Sequence, residues 1–208
     1  MQQNVSIHLV NIFPRVVSSI QIPMLHPESP YGSSCLATSF LQQNPSLSDN
    51  LLADFDNDLS QVTAILEPVF HAAERCELTN AYIQAVSTGR TAFLATNLAA
   101  QEKETVQAIT SHGFSWSIGR SSNCVISIPE KTISRCHAVI GYHPEDGFYI
   151  MDVGSNNGTW LNRRPLNLME RYLLQDGDLV ELGRFKVEFF VVCRNDTLSP
   201  AASDLTRY

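Results

Sequence analysis

Residues 150–162 read Ile150-Met151-Asp152-Val153-Gly154-Ser155-Asn156-Asn157-Gly158-Thr159-Trp160-Leu161-Asn162. A run rich in β-formers breaks into five turn-forming residues and then resumes. That is the pattern of two strands joined by a tight loop. The same grammar extends to both sides. Phe114–Ile118, Val125–Ile128, Ala138–Tyr142, Phe148–Val153, Leu179–Leu182 and Phe185–Val192 are short runs of β-branched and aromatic residues. Ser121-Ser122-Asn123, Pro144-Glu145-Asp146-Gly147 and Asp176-Gly177-Asp178 supply the turns between them. Many short strands at this spacing predict a β-sandwich or barrel.

Three of the loops share a chemistry. Gly119-Arg120-Ser121-Ser122-Asn123 follows a strand, Ser134-Arg135-Cys136-His137 precedes one, and Ser155-Asn156-Asn157-Gly158-Thr159 joins two. All carry small donors, and two carry arginine. Brought to one end of a sandwich, they make a shallow site that suits a phosphate ester. Guanidinium and hydroxyl groups give charge-assisted hydrogen bonds to phosphate oxygens. Asn amides offer a donor and an acceptor to a peptide backbone.

The order of these motifs resembles the forkhead-associated (FHA) domain. The stretches that carry the resemblance are Ser117-Ile118-Gly119-Arg120, Ile126-Ser127-Ile128-Pro129-Glu130, Ile133-Ser134-Arg135-Cys136-His137-Ala138, the 150–162 run, Leu174-Gln175-Asp176-Gly177-Asp178-Leu179, and Gly183. They cover about 90 of 208 residues. The resemblance implies an eleven-stranded sandwich that reads phosphothreonine peptides at one end. It implies that Arg120 and Ser134 contact the phosphate, that Arg135 adds a donor, that Asn156 borders the site, and that Asn157 bonds the peptide backbone. Lys131 and Thr132 would lie in the loop that selects the residue three positions after the phosphothreonine. Gly119, His137, Gly158 and Thr159 would be scaffold. The chain departs from the family pattern just before Ile126, where an acidic residue is frequent and this chain has Val125 preceded by Cys124, and at Arg163 in place of a glycine.

The first hundred residues read differently. Residues 1–47 are interrupted by Pro14, Pro23, Pro27, Pro30 and Pro45 and predict an irregular arm. From 49 to 77, Leu52, Phe55, Leu59, Val62, Leu66, Val69, Ala73 and Cys76 recur three and four apart, which predicts a helix. Ser48 or Asp49 would cap it, and Pro68 would kink or split it. A second helix is expected over 79–103, weakened by Gly89, to close an αα-hairpin. The resulting fold class is α+β in separate regions: an arm over 1–47, a helical region over 48–104, an all-β sandwich over 105–194 and a flexible tail over 195–208. The apolar stripe serves either packing within the chain or self-association, for instance as a homodimer through 49–103.

Net charge is −7. Residues 1–105 hold four Lys/Arg against ten Asp/Glu, and residues 106–194 hold nine of each. A nucleic-acid binder needs a basic surface, and none is legible. No stretch approaches the ~20 apolar residues of a membrane span. The apolar segment 5–25 lacks a basic start and a clean core, so it reads as neither leader nor anchor. Cys35, Cys76, Cys124, Cys136 and Cys193 are odd in number and lack C-x-x-C spacing. They read as reduced thiols of a cytoplasmic protein, packed as small hydrophobes, with no metal site. Cys136 and His137 are neighbours on a strand edge and point apart, so they form no catalytic pair. No P-loop, H-E-x-x-H or kinase signature occurs. The expected function is a phosphothreonine-dependent adaptor downstream of a Ser/Thr kinase, without cofactor and without catalysis. The alternative is a scaffold that works through its helices. Thr197 or Thr206, if phosphorylated, would be tethered ligands for the site.

Overall fold

The computed structural model describes residues 4–10, 18–23, 32–98, 105–110 and 115–194, with side chains over 34–98 and 115–194. Strands β1 (Asn4–Val10) and β2 (Ser18–Pro23) come first, followed by helices α1 (Gly32–Gln43), α2 (Pro45–Asp54) and α3 (Leu59–Phe70). After a 3-10 turn come β3 (Tyr82–Ser87), β4 (Ala92–Thr96), β5 (Thr105–Thr110), β6 (Ser115–Gly119), β7 (Ile126–Ser127), β8 (Ala138–His143) and β9 (Gly147–Asp152). The chain continues through β10 (Thr159–Leu161), β11 (Arg164–Pro165), β12 (Tyr172–Leu173), β13 (Asp178–Leu182) and β14 (Phe185–Cys193). The larger sheet has the order β11-β10-β13-β14-β3-β4-β5-β1-β2, and the smaller the order β12-β9-β8-β6-β7.

Three layers result: helices, larger sheet, smaller sheet. Val62, Ile65, Leu66 and Val69 of α3 pack with Tyr82, Val86, Phe93 and Phe190. On the opposite face of the same sheet, Ile83, Ala85, Leu94 and Phe189 pack with Trp116, Ile118, Ile140 and Ile150 of the smaller sheet. β9 shows the simpler case. Its burial alternates along Gly147–Asp152 because only one face is covered.

The N-terminal half corrects three expectations. The helix expected over 79–103 is the hairpin of β3 and β4, turned at Gly89 with φ +90. Both strands are buried along their whole length because helices cover one face and the smaller sheet the other. A strand apolar on both faces has no period of two to read. The sandwich sheet therefore begins at Tyr82 rather than near 105, with β3 running parallel to β14. The arm expected to be irregular holds β1, β2 and α1, and Pro45 stands at the start of α2, where a missing N–H costs nothing. The helix expected over 49–77 divides at Asp56 and Asn57, with φ 50 and 64, and not at Pro68. Asp58 caps α3, its carboxylate accepting from the N–H groups of Ser60 and Gln61 at 2.9 and 3.4 Å. The Ser60 hydroxyl and the Gln61 side-chain amide donate to it as well, and these two bonds, with the backbone ones, lower its pKa to about 2.

Candidate functional site

The three polar loops of the sandwich meet at one end. Their convergence starts from Gly119. A Cβ there would lie 2.3 Å from the Arg135 carbonyl oxygen, so only glycine lets β6 end against the 134–136 segment. Two backbone bonds then lock the loops, with Arg120 N–H donating to Ser134 O at 2.9 Å and Ser121 N–H to Arg135 O at 3.1 Å. His137 braces the arrangement from behind. It is fully buried; Nδ1 accepts the Ser134 N–H at 3.0 Å and Nε2 lies 3.1 Å from Gly158 O. That pairing requires the neutral ring protonated on Nε2. Burial lowers its pKa, in keeping with this state.

The third loop is organised by Asp152, which was absent from the expected site residues. Its carboxylate accepts from Gly154 N–H and Ser155 N–H, both at 2.8 Å, and from the Ser155 and Thr159 hydroxyls, both at 2.6 Å. Burial alone would raise its pKa; these bonds more than offset that and bring it to about 2. A lone Asp before Val-Gly-Ser-Asn-Asn-Gly carries a signal in hindsight, because short acids before turns bond the backbone that follows. Gly158 (φ +79) and Thr159, 1% exposed, complete the loop's frame.

The loops enclose an open pocket of about 700 Å³. Arg120, Lys131, Thr132, Ser134, Arg135, Asn156 and Asn157 all line it, so the structure brings every expected ligand to one place. Gly119, His137, Gly158 and Thr159 stand outside the lining. Ser121 and Asn123, expected in the first loop but given no individual role, line it as well, as does Gly154. Among the described residues no Asp or Glu borders the pocket, and none of its three cations is in an ion pair.

Arg120, Ser134, Asn157 and Thr132 are each already held through one polar atom. Arg120 donates Nε to the Ile133 carbonyl at 3.2 Å, which aims the guanidinium while its terminal nitrogens have no partner among the described residues. Ser134 Oγ accepts the Asn156 N–H at 3.0 Å, so its own hydrogen remains to be donated. Asn157 Nδ2 donates to Thr132 O at 2.7 Å, which leaves Oδ1 as an acceptor. Thr132 is fixed in turn through its hydroxyl, which accepts from Arg184 N–H at 3.2 Å. Gly183, at φ +63, permits this approach; a Cβ would meet Thr132 O at 2.6 Å. The cysteines depart from expectation, since Cys35 and Cys136 are exposed rather than packed. All five are free thiols.

Comparison with known proteins places this geometry. The family model of the FHA domain matches residues 116–183. The chain is similar to the oxoglutarate dehydrogenase inhibitor of Corynebacterium efficiens, 39% identical over 71 residues that make up 34% of this chain and 47% of that protein. It is similar to the glycogen accumulation regulator GarA of Mycolicibacterium smegmatis, 37% identical over 81 residues, 38% of this chain and 48% of that one. The chain thus spans about half the length of these relatives. Among solved structures, the MEK1 FHA domain in complex with the HOP1 pThr318 peptide is 33% identical, covering 38% of this chain and 81% of that one, at a TM-score of 0.32. The C-terminal half of this chain carries an FHA domain.

Proposed function

We propose that the pocket binds phosphothreonine within an extended peptide, and that the protein is a non-enzymatic adaptor docking onto a partner marked by a Ser/Thr kinase. One observation carries the reading: three cations and the Ser134 hydroxyl converge on a pocket that no carboxylate of the described residues borders. In this account the terminal nitrogens of Arg120 and the Ser134 O–H grip the phosphate. Arg135 adds a donor at the rim. Asn157 Oδ1 accepts a peptide N–H, Asn156 borders the phosphothreonine, and Lys131 with Thr132 faces the residue three positions downstream. The relatives named as a regulator and an inhibitor support a regulatory role over a catalytic one.

A homodimer through the helices, or a scaffold acting through them, would need another surface than the apolar stripe. Val62, Leu66 and Val69 are at most 1% exposed and packed on the larger sheet. Five free thiols favour the cytoplasm, and no helix among the described residues is long and apolar enough to cross a membrane. Thr197 and Thr206, the proposed tethered ligands, lie outside the described residues.

An oriented phosphothreonine peptide library, read by fluorescence anisotropy against unphosphorylated and phosphoserine counterparts, tests the proposal. Micromolar binding that requires the phosphate is expected. Equal affinity for the unphosphorylated library would end the proposal.

A further inference from the structure

Two of the five cysteines meet at the pocket. Cys124 and Cys136 both line it. The Cys124 thiol donates to the Arg135 carbonyl at 3.1 Å, one peptide unit from Cys136. Gly119 again makes the approach feasible, since a Cβ there would lie 2.8 Å from Cys124 Sγ. Cys136 is exposed and Cys124 is partly covered. None of the other three cysteines lines the pocket. The Cys124 sulfur is thereby held beside the carbonyl that precedes Cys136, and a short approach of the two thiols allows an S–S bond of about 2.05 Å to form.

We propose that Cys124 and Cys136 form an oxidisable dithiol site inside the phosphopeptide pocket, and that its disulfide weakens phosphopeptide binding. The oxidant is a peroxide. The exposed Cys136, as thiolate, attacks one oxygen of hydrogen peroxide; an S–O bond forms, the O–O bond breaks, and the leaving hydroxide takes up a proton to become water. The Cys124 sulfur then attacks the sulfenic sulfur of Cys136. An S–S bond forms, the S–O bond breaks, and the departing hydroxyl leaves as a second water with the Cys124 proton. The two sulfurs together lose two electrons and the peroxide gains them. Burial raises the pKa of Cys124, which leaves the first step to Cys136.

The disulfide changes the pocket in two ways. It removes the S–H donor that helps fix the Arg135 carbonyl. It also draws the 120–124 loop and the 134–136 segment together, and these carry Arg120 and Ser134. Two groups that must meet one phosphate tolerate little displacement. This consequence rests on the phosphopeptide reading; the formation of the disulfide does not.

The test uses the full chain, reduced and after hydrogen peroxide treatment, with peptide mapping by mass spectrometry and anisotropy titration of a phosphothreonine peptide selected on reduced protein. A 124–136 cross-link is expected, with a several-fold rise in Kd that dithiothreitol reverses and that Cys136→Ser does not show. Either of two results overturns the inference: no cross-link between these residues, or a cross-linked protein that binds as tightly as the reduced one. Reduced protein that ignores every phosphopeptide overturns the proposed function and the binding half of this inference, whatever the mass shows.

Discussion

Arg75, in the 3-10 turn before β3, and Arg120, just after β6, are treated in opposite ways. Arg75 is spent on the fold. It pairs with Asp176 at 2.7 Å, donates to Gln84 at 3.3 Å and lies over the Phe190 ring at 4.2 Å. Arg120 gives the fold one nitrogen, through Nε to Ile133 O, and faces a pocket without carboxylates. Charge alone does not tell them apart. What differs is whether the protein has already satisfied the guanidinium or has oriented it and left it uncompensated.

The contrast is broken or sharpened by substitution, beginning with the largest effect. Arg120→Ala should weaken phosphothreonine-peptide binding by at least roughly tenfold, because charge-assisted hydrogen bonds contribute about 1.5–3 kcal/mol. Its thermal midpoint should stay near wild type, since one part-buried Nε bond is all the fold loses. Titration calorimetry and thermal melts on one preparation check both halves. Asp152→Ala should cost about 1–3 kcal/mol of stability, because it orphans loop N–H groups and the buried Thr159 hydroxyl. Denaturant unfolding reads this directly. The same carboxylate gives a pH signature. Its folded pKa of about 2 lies below the ordinary 3.8, so its contribution is present above that value and is lost as pH falls toward 2. Asp58 titrates in the same window.

Arg75→Ala inverts the first result. It should lower stability by about 1–2 kcal/mol, from a part-exposed ion pair and a cation–π contact, and leave phosphopeptide affinity unchanged. Arg163→Gly should raise stability by about 1 kcal/mol. Asn162 and Arg163 both occupy the left-handed region, with φ 51 and 66, at the turn where the family has glycine. A rise in denaturation midpoint of that size checks it. The smallest effect is the preference for phosphothreonine over phosphoserine. One buried methyl contributes about 0.8 kcal/mol, so a preference of about fourfold is expected in paired titrations unless the pocket packs closely around it.

The site was more legible in the sequence than the fold around it. Gly119-Arg120, Ser134-Arg135-Cys136-His137 and Asn156-Asn157-Gly158-Thr159 are loop residues whose types follow from local need: close approach, positive φ, capping and donation. Such needs are written within a few residues. The strands of 82–96 answer to layers distant in sequence. Tyr82 and Val86 meet the helices, and Ile83 and Ala85 meet the smaller sheet, so apolar residues stand on both faces for different reasons. The same run, with Gly89 inside it, was compatible with a weak helix. The division of the 49–77 stripe at Asp56-Asn57 was missed because the spacing of Phe55 and Leu59 continues across the break, although Leu59 is 56% exposed. Asp152 escaped notice because its role is to satisfy other residues rather than to face the pocket.

The central claim is that one end of the sandwich, and no other surface, receives the phosphate. The most direct measurement is an amide NMR titration of the full chain with a phosphothreonine peptide. The account predicts shifts confined to the loops at 119–124, 131–137 and 154–158, absent with the unphosphorylated peptide. Shifts centred on the opposite end, near Asn162 and Asp176, or equal shifts without the phosphate, would contradict it.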